Sequence, residues 1–134
     1  MQLTGYKPAD VTPWETASGG KAVVCSSQQC SAQITWDKPD GWFDLTIQYF
    51  DLLHGHSHFT LSVGGSDVGE WTADGTLPSD KLNGHTATRK AFAAVAIHRG
   101  DIVRISGTPD GLELAPLDYI EAIPSAALLL PQKR

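Results

Sequence analysis

Apolar and polar residues alternate most regularly in the middle of the chain. Residues 43–49 alternate with a period of two, and residues 58–63 repeat the pattern. Residues 51–57 between them are too few for a crossover helix, and Gly55 lets the chain turn there. The stretch predicts two antiparallel strands, with one face on a core and the other toward water.

Similar short segments, separated by turn residues such as Pro109-Asp110-Gly111, follow each other along the whole chain. The further predicted strands are residues 21–25, 31–36, 68–73, 85–97, 102–106 and 117–123. Residues 1–12 are interpreted as a lead-in. About eight short strands and no confident helix predict an all-β fold, an antiparallel β-sandwich of the jelly-roll type.

The length of 134 residues predicts one domain, with residues 1–124 as the sandwich and residues 125–134 as a C-terminal tail or linker. The net charge of −5 argues against a nucleic-acid partner or an anionic membrane surface. No apolar run reaches membrane length, and residues 1–20 contain no apolar stretch typical of a signal peptide.

The two cysteines, Cys25 and Cys30, are separated by four residues. This spacing fits a disulfide across a short hairpin. Two free thiols in a reducing compartment are the alternative, and a zinc site would require histidine partners nearby in space.

Three of the five histidines, His54, His56 and His58, stand two residues apart in the loop after residue 50. In an extended segment they would share one face, a spacing usable for zinc, copper or nickel. Gly55 and the loop setting weaken this hypothesis, and a solvated loop is the plainer interpretation.

Several segments in order resemble the carbohydrate-binding modules of families 6 and 35, the galactose-binding-like jelly rolls. They are residues 18–23 (Ser-Gly-Gly-Lys-Ala-Val), 42–49, 59–63, 99–105 and 117–120 (Leu-Asp-Tyr-Ile). A narrower set, including residues 49–51, 70–74 and 109–111, resembles the accessory β-sandwich of some xylan-directed α-glucuronidases.

The resemblance implies a secreted, periplasmic or extracellular protein, joined to a catalytic glycoside hydrolase domain in a longer parent chain. It also implies a structural calcium ion. Asp118 matches the calcium-binding aspartate of the closing strand. Asp10 only substitutes for the glutamates of the family's first strand, and Glu15 lies too near residues 18–20 to do so.

A sugar site needs an exposed aromatic ring for stacking and polar groups for paired hydrogen bonds. Trp42 and Trp14, next to turn or loop residues, are the first candidates, followed by Trp71 and then Trp36. For each tryptophan the alternative is packing in the core or at its rim.

Polar candidates cluster around the long loop 74–84. Asn83 and His85 offer neutral hydrogen bonds, while Arg89 offers a bidentate partner for a uronate carboxylate. The alternative for Arg89 is an ion pair with an acidic residue on a neighbouring strand. The remaining candidates, carboxylates at predicted strand ends, are Asp51, Asp74 and Glu113.

No nucleophile elbow, phosphate loop or metalloprotease motif is present in the sequence. A pair of glycosidase carboxylates is recognised only in space, but 134 residues are few for a glycosidase cleft. The prediction is therefore a non-catalytic module that binds plant cell-wall polysaccharide, with xylan or a uronic-acid-bearing glycan favoured. The alternative is a structural accessory domain of a glycoside hydrolase that binds no glycan.

Overall fold

Ten β-strands make up the described part of the chain. The computed structural model describes residues 2–10, 21–75, 77, 82, 86–111 and 113–125, with residues 8–10 and 21 described by their backbone. The strands are β1 (Gln2–Thr4), β2 (Tyr6–Asp10), β3 (Lys21–Cys25), β4 (Cys30–Thr35), β5 (Gly41–Phe50), β6 (His58–Val63), β7 (Ser66–Thr72), β8 (Ala87–Ile97), β9 (Ile102–Thr108) and β10 (Leu117–Pro124).

The strands form two five-stranded sheets that face each other. Sheet A has the order β1-β4-β9-β6-β7, and sheet B has the order β2-β3-β10-β5-β8. All neighbouring strands are antiparallel. The predicted all-β sandwich of the jelly-roll type is therefore confirmed. The described residues include no helix with the length and apolarity required to cross a membrane.

The core lies between the sheets, where alternate residues of the central strands point inward. Leu45 and Ile47 of β5 meet Phe59 and Leu61 of β6, and each is at most 1% exposed. Burying a side chain of this size stabilises the fold by roughly 2 kcal/mol. The period-two pattern of residues 41–63 thus selects the inward faces as predicted.

The N-terminal residues are the main error in the strand prediction. The segment interpreted as a lead-in forms β1 in sheet A and β2 in sheet B. Gly5, with a φ of +79°, makes the bend between the two sheets. Tyr6 is buried and its hydroxyl donates to the Ala115 carbonyl at 2.9 Å. Three- and five-residue strands are too short to show a clear period, so the pattern did not reveal them.

Cys25 and Cys30 form a disulfide that joins β3 of sheet B to β4 of sheet A. The Cα atoms are 5.7 Å apart, and both residues are buried. The bond therefore links the two sheets at the turn between consecutive strands, and it leaves no free cysteine in the described part of the chain.

Candidate functional site

The outer face of sheet B carries the most exposed aromatic side chain among the described residues. Trp42, the second residue of β5, is in phase with the outward-facing residues of that strand, and it is 53% exposed. Ile123 of β10, 51% exposed, lies diagonally next to it, because Ile123 pairs with Asp44. Ala96 of β8 lies opposite Trp42 on the other side. Trp42 and Ile123 are hereafter the Trp42 patch.

Six residues further along β5, Gln48 is the centre of a hydrogen-bonded group on the same face. Its Nε2 donates to Asp118 Oδ2 at 2.8 Å, and its Oε1 accepts from Arg89 Nε at 3.1 Å and from the Tyr119 hydroxyl at 3.2 Å. Gln48 is only 2% exposed despite facing away from the core. These four residues are hereafter the Gln48 cluster.

Arg89 is the exposed cation of this cluster. Its Nε is bonded to Gln48, and its Cζ lies 6.0 Å from the ring centroid of Tyr119. Among the described residues, no carboxylate forms an ion pair with Arg89, so the alternative of a neighbouring acidic partner is not found there. Since Nε is fixed, the terminal N–H groups remain in a geometry suited to bidentate binding of a carboxylate.

The Trp42 patch and the Gln48 cluster lie on one line along β5. Six residues of extended strand separate Trp42 from Gln48 by roughly 20 Å. A ligand touching both must therefore be a chain of several sugar rings rather than a monosaccharide.

Two buried carboxylates, Asp51 and Glu113, lie in the loops beyond the Phe50 end of β5, and neither is open to solvent. Asp51 is 4% exposed, and its Oδ2 accepts from the Gly75 backbone N–H at 2.8 Å. Glu113 is fully buried and accepts from the N–H groups of Leu52 and Ser57, each at 2.7 Å. Asp51 and Glu113 therefore fix the loops, and their prediction as sugar-binding residues is wrong.

Burial raises the pKa of Glu113 above the usual value of a glutamate, and the nearby Asp51 charge acts in the same direction. Three hydrogen bonds oppose this shift, from the Leu52 N–H and from the side chain and backbone of Ser57. No sequence signal distinguished Glu113 from an ordinary turn residue, because its donors come from a loop some 60 positions earlier in the chain.

Trp71 was also predicted as a sugar-binding residue, but it lies in the core. It is 8% exposed and stacks on Phe59, with ring centroids 5.2 Å apart, between Tyr49 and Phe92. Trp36, the weakest of the four candidates, is 6% exposed. Both tryptophans belong to the core, which leaves Trp42 as the described tryptophan able to stack on a ligand.

The three histidines do not converge. His58 lies on β6, where its Nδ1 is 3.0 Å from Thr72 Oγ1 and its Nε2 is 3.7 Å from Glu70 Oε1. His56 is held through its backbone N–H by Asp110, and Gly55, at a φ of +142°, bends the segment between His54 and His56. Within the described ranges, no three His, Cys, Asp or Glu side chains are grouped to hold a metal ion. The three-histidine site is therefore wrong as predicted.

The calcium prediction depends on Asp118 and Asp10. Asp118 accepts from the Gln48 amide on the sheet B face, while Asp10 pairs with Lys21 at the end of β2. The side chain of Asp10 lies outside the described residues, and the described side chains do not by themselves supply a calcium ligand set. A structural calcium ion stays a prediction.

The other predicted sugar-binding residues divide into two groups. Asp74 is exposed in the loop after β7. Trp14, Asn83 and His85 lie outside the described residues. Gln48 and Tyr119, which the sequence analysis did not select, join Arg89 through pairing of β5 with β8 and β10.

The outer face of sheet A carries an arginine–glutamine pair like that of Arg89 and Gln48, but without aromatic neighbours. Arg104 of β9 is exposed, and its Nε donates to Gln33 Oε1 of β4 at 2.8 Å. The outward positions of the sheet A strands include no Trp, Tyr or Phe among the described residues. The two faces therefore present the same arginine–glutamine contact in different surroundings.

The chain matches no family model. It is 44% identical over 131 residues to the probable alpha-glucuronidase A of Aspergillus fumigatus, which covers 92% of this chain and 16% of the relative. The alpha-glucuronidase A of Aspergillus tubingensis is 39% identical over 132 residues, with the same coverage. The chain thus spans about a sixth of the length of these relatives.

Solved structures share the fold at low sequence identity. A family 35 carbohydrate-binding module from Clostridium thermocellum has a TM-score of 0.62 at 14% identity, covering 92% of both chains. The C-terminal family 6 module of a laminarinase from Zobellia galactanivorans has a TM-score of 0.56 at 11% identity, covering 91% of this chain and 90% of that one.

These likenesses confirm both resemblances seen in the sequence. The chain has the β-sandwich fold of the family 35 and family 6 carbohydrate-binding modules, and its sequence is similar to a segment of alpha-glucuronidase A.

Proposed function

We propose that this domain is a non-catalytic carbohydrate-binding module that binds a plant cell-wall polysaccharide along the outer face of sheet B. The observation that carries the proposal is the alignment of half-exposed Trp42 with the Gln48 cluster on one strand face. Trp42 offers an apolar ring for stacking on a sugar face, and the cluster offers fixed polar groups to hydroxyls.

The favoured ligand is xylan or another glycan bearing uronic acids. Arg89 is the group that selects the acid, because its guanidinium is held by Gln48 and Tyr119 rather than by a described carboxylate. A pre-positioned guanidinium binds a carboxylate with two parallel hydrogen bonds at a small loss of side-chain entropy.

A binding role without catalysis agrees with the carboxylates of the loop end. Asp51 and Glu113 are buried and already accept backbone N–H groups, so neither reaches a glycosidic bond. The relatives are alpha-glucuronidases of about six times the aligned length, which supports a catalytic domain in the same parent chain. The disulfide supports a secreted protein.

Affinity electrophoresis of the domain tests the proposal. Gels contain glucuronoxylan, the same xylan with its uronates reduced to neutral sugars, a glucan or a mannan, and each is run with and without chelator. We expect retardation by glucuronoxylan, weaker retardation by the reduced xylan, and a larger effect for long than for short oligosaccharides. Retardation by none of the glycans would refute glycan binding, and loss with chelator alone would point to the calcium ion.

A second candidate is a packing role, favoured by the Trp42 patch. The backbone N–H of Ser125 donates to the Trp42 carbonyl at 2.9 Å, so the end of β10 lies beside the half-exposed Trp42, next to the half-exposed Ile123. Such a patch suits burial against a catalytic domain or a second copy. Light scattering would detect a dimer, and a dimer abolished by Ile123→Ser together with absent glycan binding would favour this role.

A further inference from the structure

A cavity of about 210 Å³ lies between the two sheets near the beginning of β5. Sheet A lines it with Ile34 and Val103, and sheet B lines it with Leu45, Ile97 and Ile120. All five side chains are aliphatic. The cavity is separate from the outer face of sheet B, since these residues point between the sheets.

The cavity is present because β3 is paired with β10 over a much shorter length than β5 is. The only pair that joins β10 to β3 among the described residues is Leu117 with Val23, whereas β10 pairs with β5 as far as Pro124. Beyond Leu117 the described part of sheet B has no strand beside β10 on that side. Ile120 therefore remains only partly buried although it faces the core.

The cavity also has one aromatic and one cationic side chain. Trp36 lines it, and its indole N–H already donates to the Pro39 carbonyl at 3.2 Å. Lys38 lines it as well, with its Nζ 5.9 Å from the centroid of the Trp36 ring. Lys38 is exposed and has no ion pair among the described residues.

We propose that this cavity binds a small monocyclic aromatic carboxylate, with its ring between the sheets and its carboxylate next to Lys38. An apolar cavity of about 150 Å³ is known to admit benzene, so the volume here accommodates one substituted ring. The single cation selects an anionic substituent over a neutral or cationic one. The site is independent of the proposed glycan site on the outer face.

Titration of the domain with three ring ligands of similar size tests the proposal, with chemical shifts of Ile34 and Ile120 methyl groups as the readout. Benzoate carries a negative charge, benzyl alcohol is neutral and benzylamine is positive. We expect saturable shifts with affinity in that order. No shift with benzoate, or tighter binding of benzylamine, would overturn the proposal.

Two variants test separately the apolar part of the site, which would hold the ring, and Lys38, which would hold the carboxylate. Lys38→Met, at an exposed position, should weaken benzoate by about fivefold and leave benzyl alcohol unchanged. Ala122→Leu should remove binding of both ligands, because Ala122 lines the cavity and the longer side chain fills it. Ala91→Leu, the same substitution at an exposed position of β8, should change neither.

Benzoate affinity that is unchanged in both Lys38→Met and Ala122→Leu would place the ligand elsewhere and refute the site. Since Lys38→Met leaves the core intact, the charge test remains valid even if Ala122→Leu unfolds the domain. Glycan retardation should be the same in Lys38→Met and Ala122→Leu as in wild type, which distinguishes failure of this site from failure of the glycan site.

Discussion

The outer faces of the two sheets contain the same contact in two different settings. On sheet B, Arg89 Nε donates to Gln48 Oε1 at 3.1 Å, and on sheet A, Arg104 Nε donates to Gln33 Oε1 at 2.8 Å. Both arginines are exposed. An arginine held by a cross-strand glutamine is therefore not by itself a sign of a binding site.

The surroundings of the two pairs separate them. Gln48 is buried and donates to the Asp118 carboxylate at 2.8 Å, whereas half-buried Gln33 donates to the exposed Gln2 amide at 3.3 Å. The Tyr119 ring also lies by Arg89, with Trp42 further along the same face. Burial and aromatic neighbours, rather than the arginine–glutamine contact, therefore distinguish the candidate face.

The largest expected effect tests whether glycan binding on the outer face of sheet B depends on the loops that Glu113 holds. Glu113→Gln should lower the free energy of unfolding by about 3 kcal/mol, because the new amide N–H₂ would face a backbone N–H. Urea denaturation measures this loss. Asp110→Asn, at an exposed carboxylate that accepts the His56 N–H, is the control and should cost about 1 kcal/mol.

The effect of Glu113→Gln should also depend on pH. Since burial raises the pKa of Glu113, the folded protein holds this proton more tightly than the unfolded chain does. The stability difference between wild type and Glu113→Gln should therefore be largest below the usual glutamate pKa and shrink as the pH rises through the raised value. Glycan affinity of the folded variant should be unchanged. A large loss of affinity would show that the loops, not the strand face, form the site.

The next effect compares the two glutamines directly. Gln48→Leu should lower the free energy of unfolding by about 2 kcal/mol, because Asp118 and the Tyr119 hydroxyl lose a buried partner. Gln33→Leu should change it by less than about 0.5 kcal/mol, as for most surface substitutions. Thermal or urea unfolding measures both. Equal losses would remove the distinction drawn between the faces.

The aromatic difference is tested by Trp42→Ala, with Ile102→Ala as its control on sheet A. Loss of a stacked ring should weaken glucuronoxylan binding by about tenfold, near 1.4 kcal/mol. Ile102, 36% exposed on the aromatic-free face, should contribute nothing to binding. Isothermal titration calorimetry with a xylo-oligosaccharide measures both affinities. Equal affinity in Trp42→Ala and wild type would assign Trp42 to packing instead.

The smallest expected effect compares the arginines. Arg89→Met should weaken binding of a uronate-bearing glycan by about fivefold and leave the neutral glycan nearly unchanged, as expected for an exposed ion pair near 1 kcal/mol. Arg104→Met should alter neither. Raising the salt concentration should reduce the advantage of the acidic glycan in wild type but not in Arg89→Met. A matching loss in Arg104→Met would place the acidic glycan on sheet A or on both faces.

Much of this architecture was predictable from local sequence. The period-two segments and their turns predicted the antiparallel sandwich, and the Cys25–Cys30 spacing allowed the disulfide. The same period already placed Trp42 in phase with Asp44, on the polar side of β5. The short strands β1 and β2 were not predicted, because three to five residues contain too little of a repeating pattern.

The site itself was only partly predictable. Trp42 was expected at the rim of a strand and is exposed, whereas Trp71 and Asp51 were candidates for sugar contact and are buried. Their burial depends on contacts with distant segments, Phe59 for Trp71 and Gly75 for Asp51. Neither residue type nor local period carries that information.

The sequence by itself determined that each strand has two faces and where the chain turns, because side-chain alternation and turn chemistry are local properties of the backbone. Only the tertiary structure decided which face is covered, since that depends on the register of strands far apart in the chain. Pairing of β5 with β8 and β10 brings Gln48, Arg89 and Tyr119 together. Packing of sheet A on sheet B buries Trp71 and leaves Trp42 in contact with water.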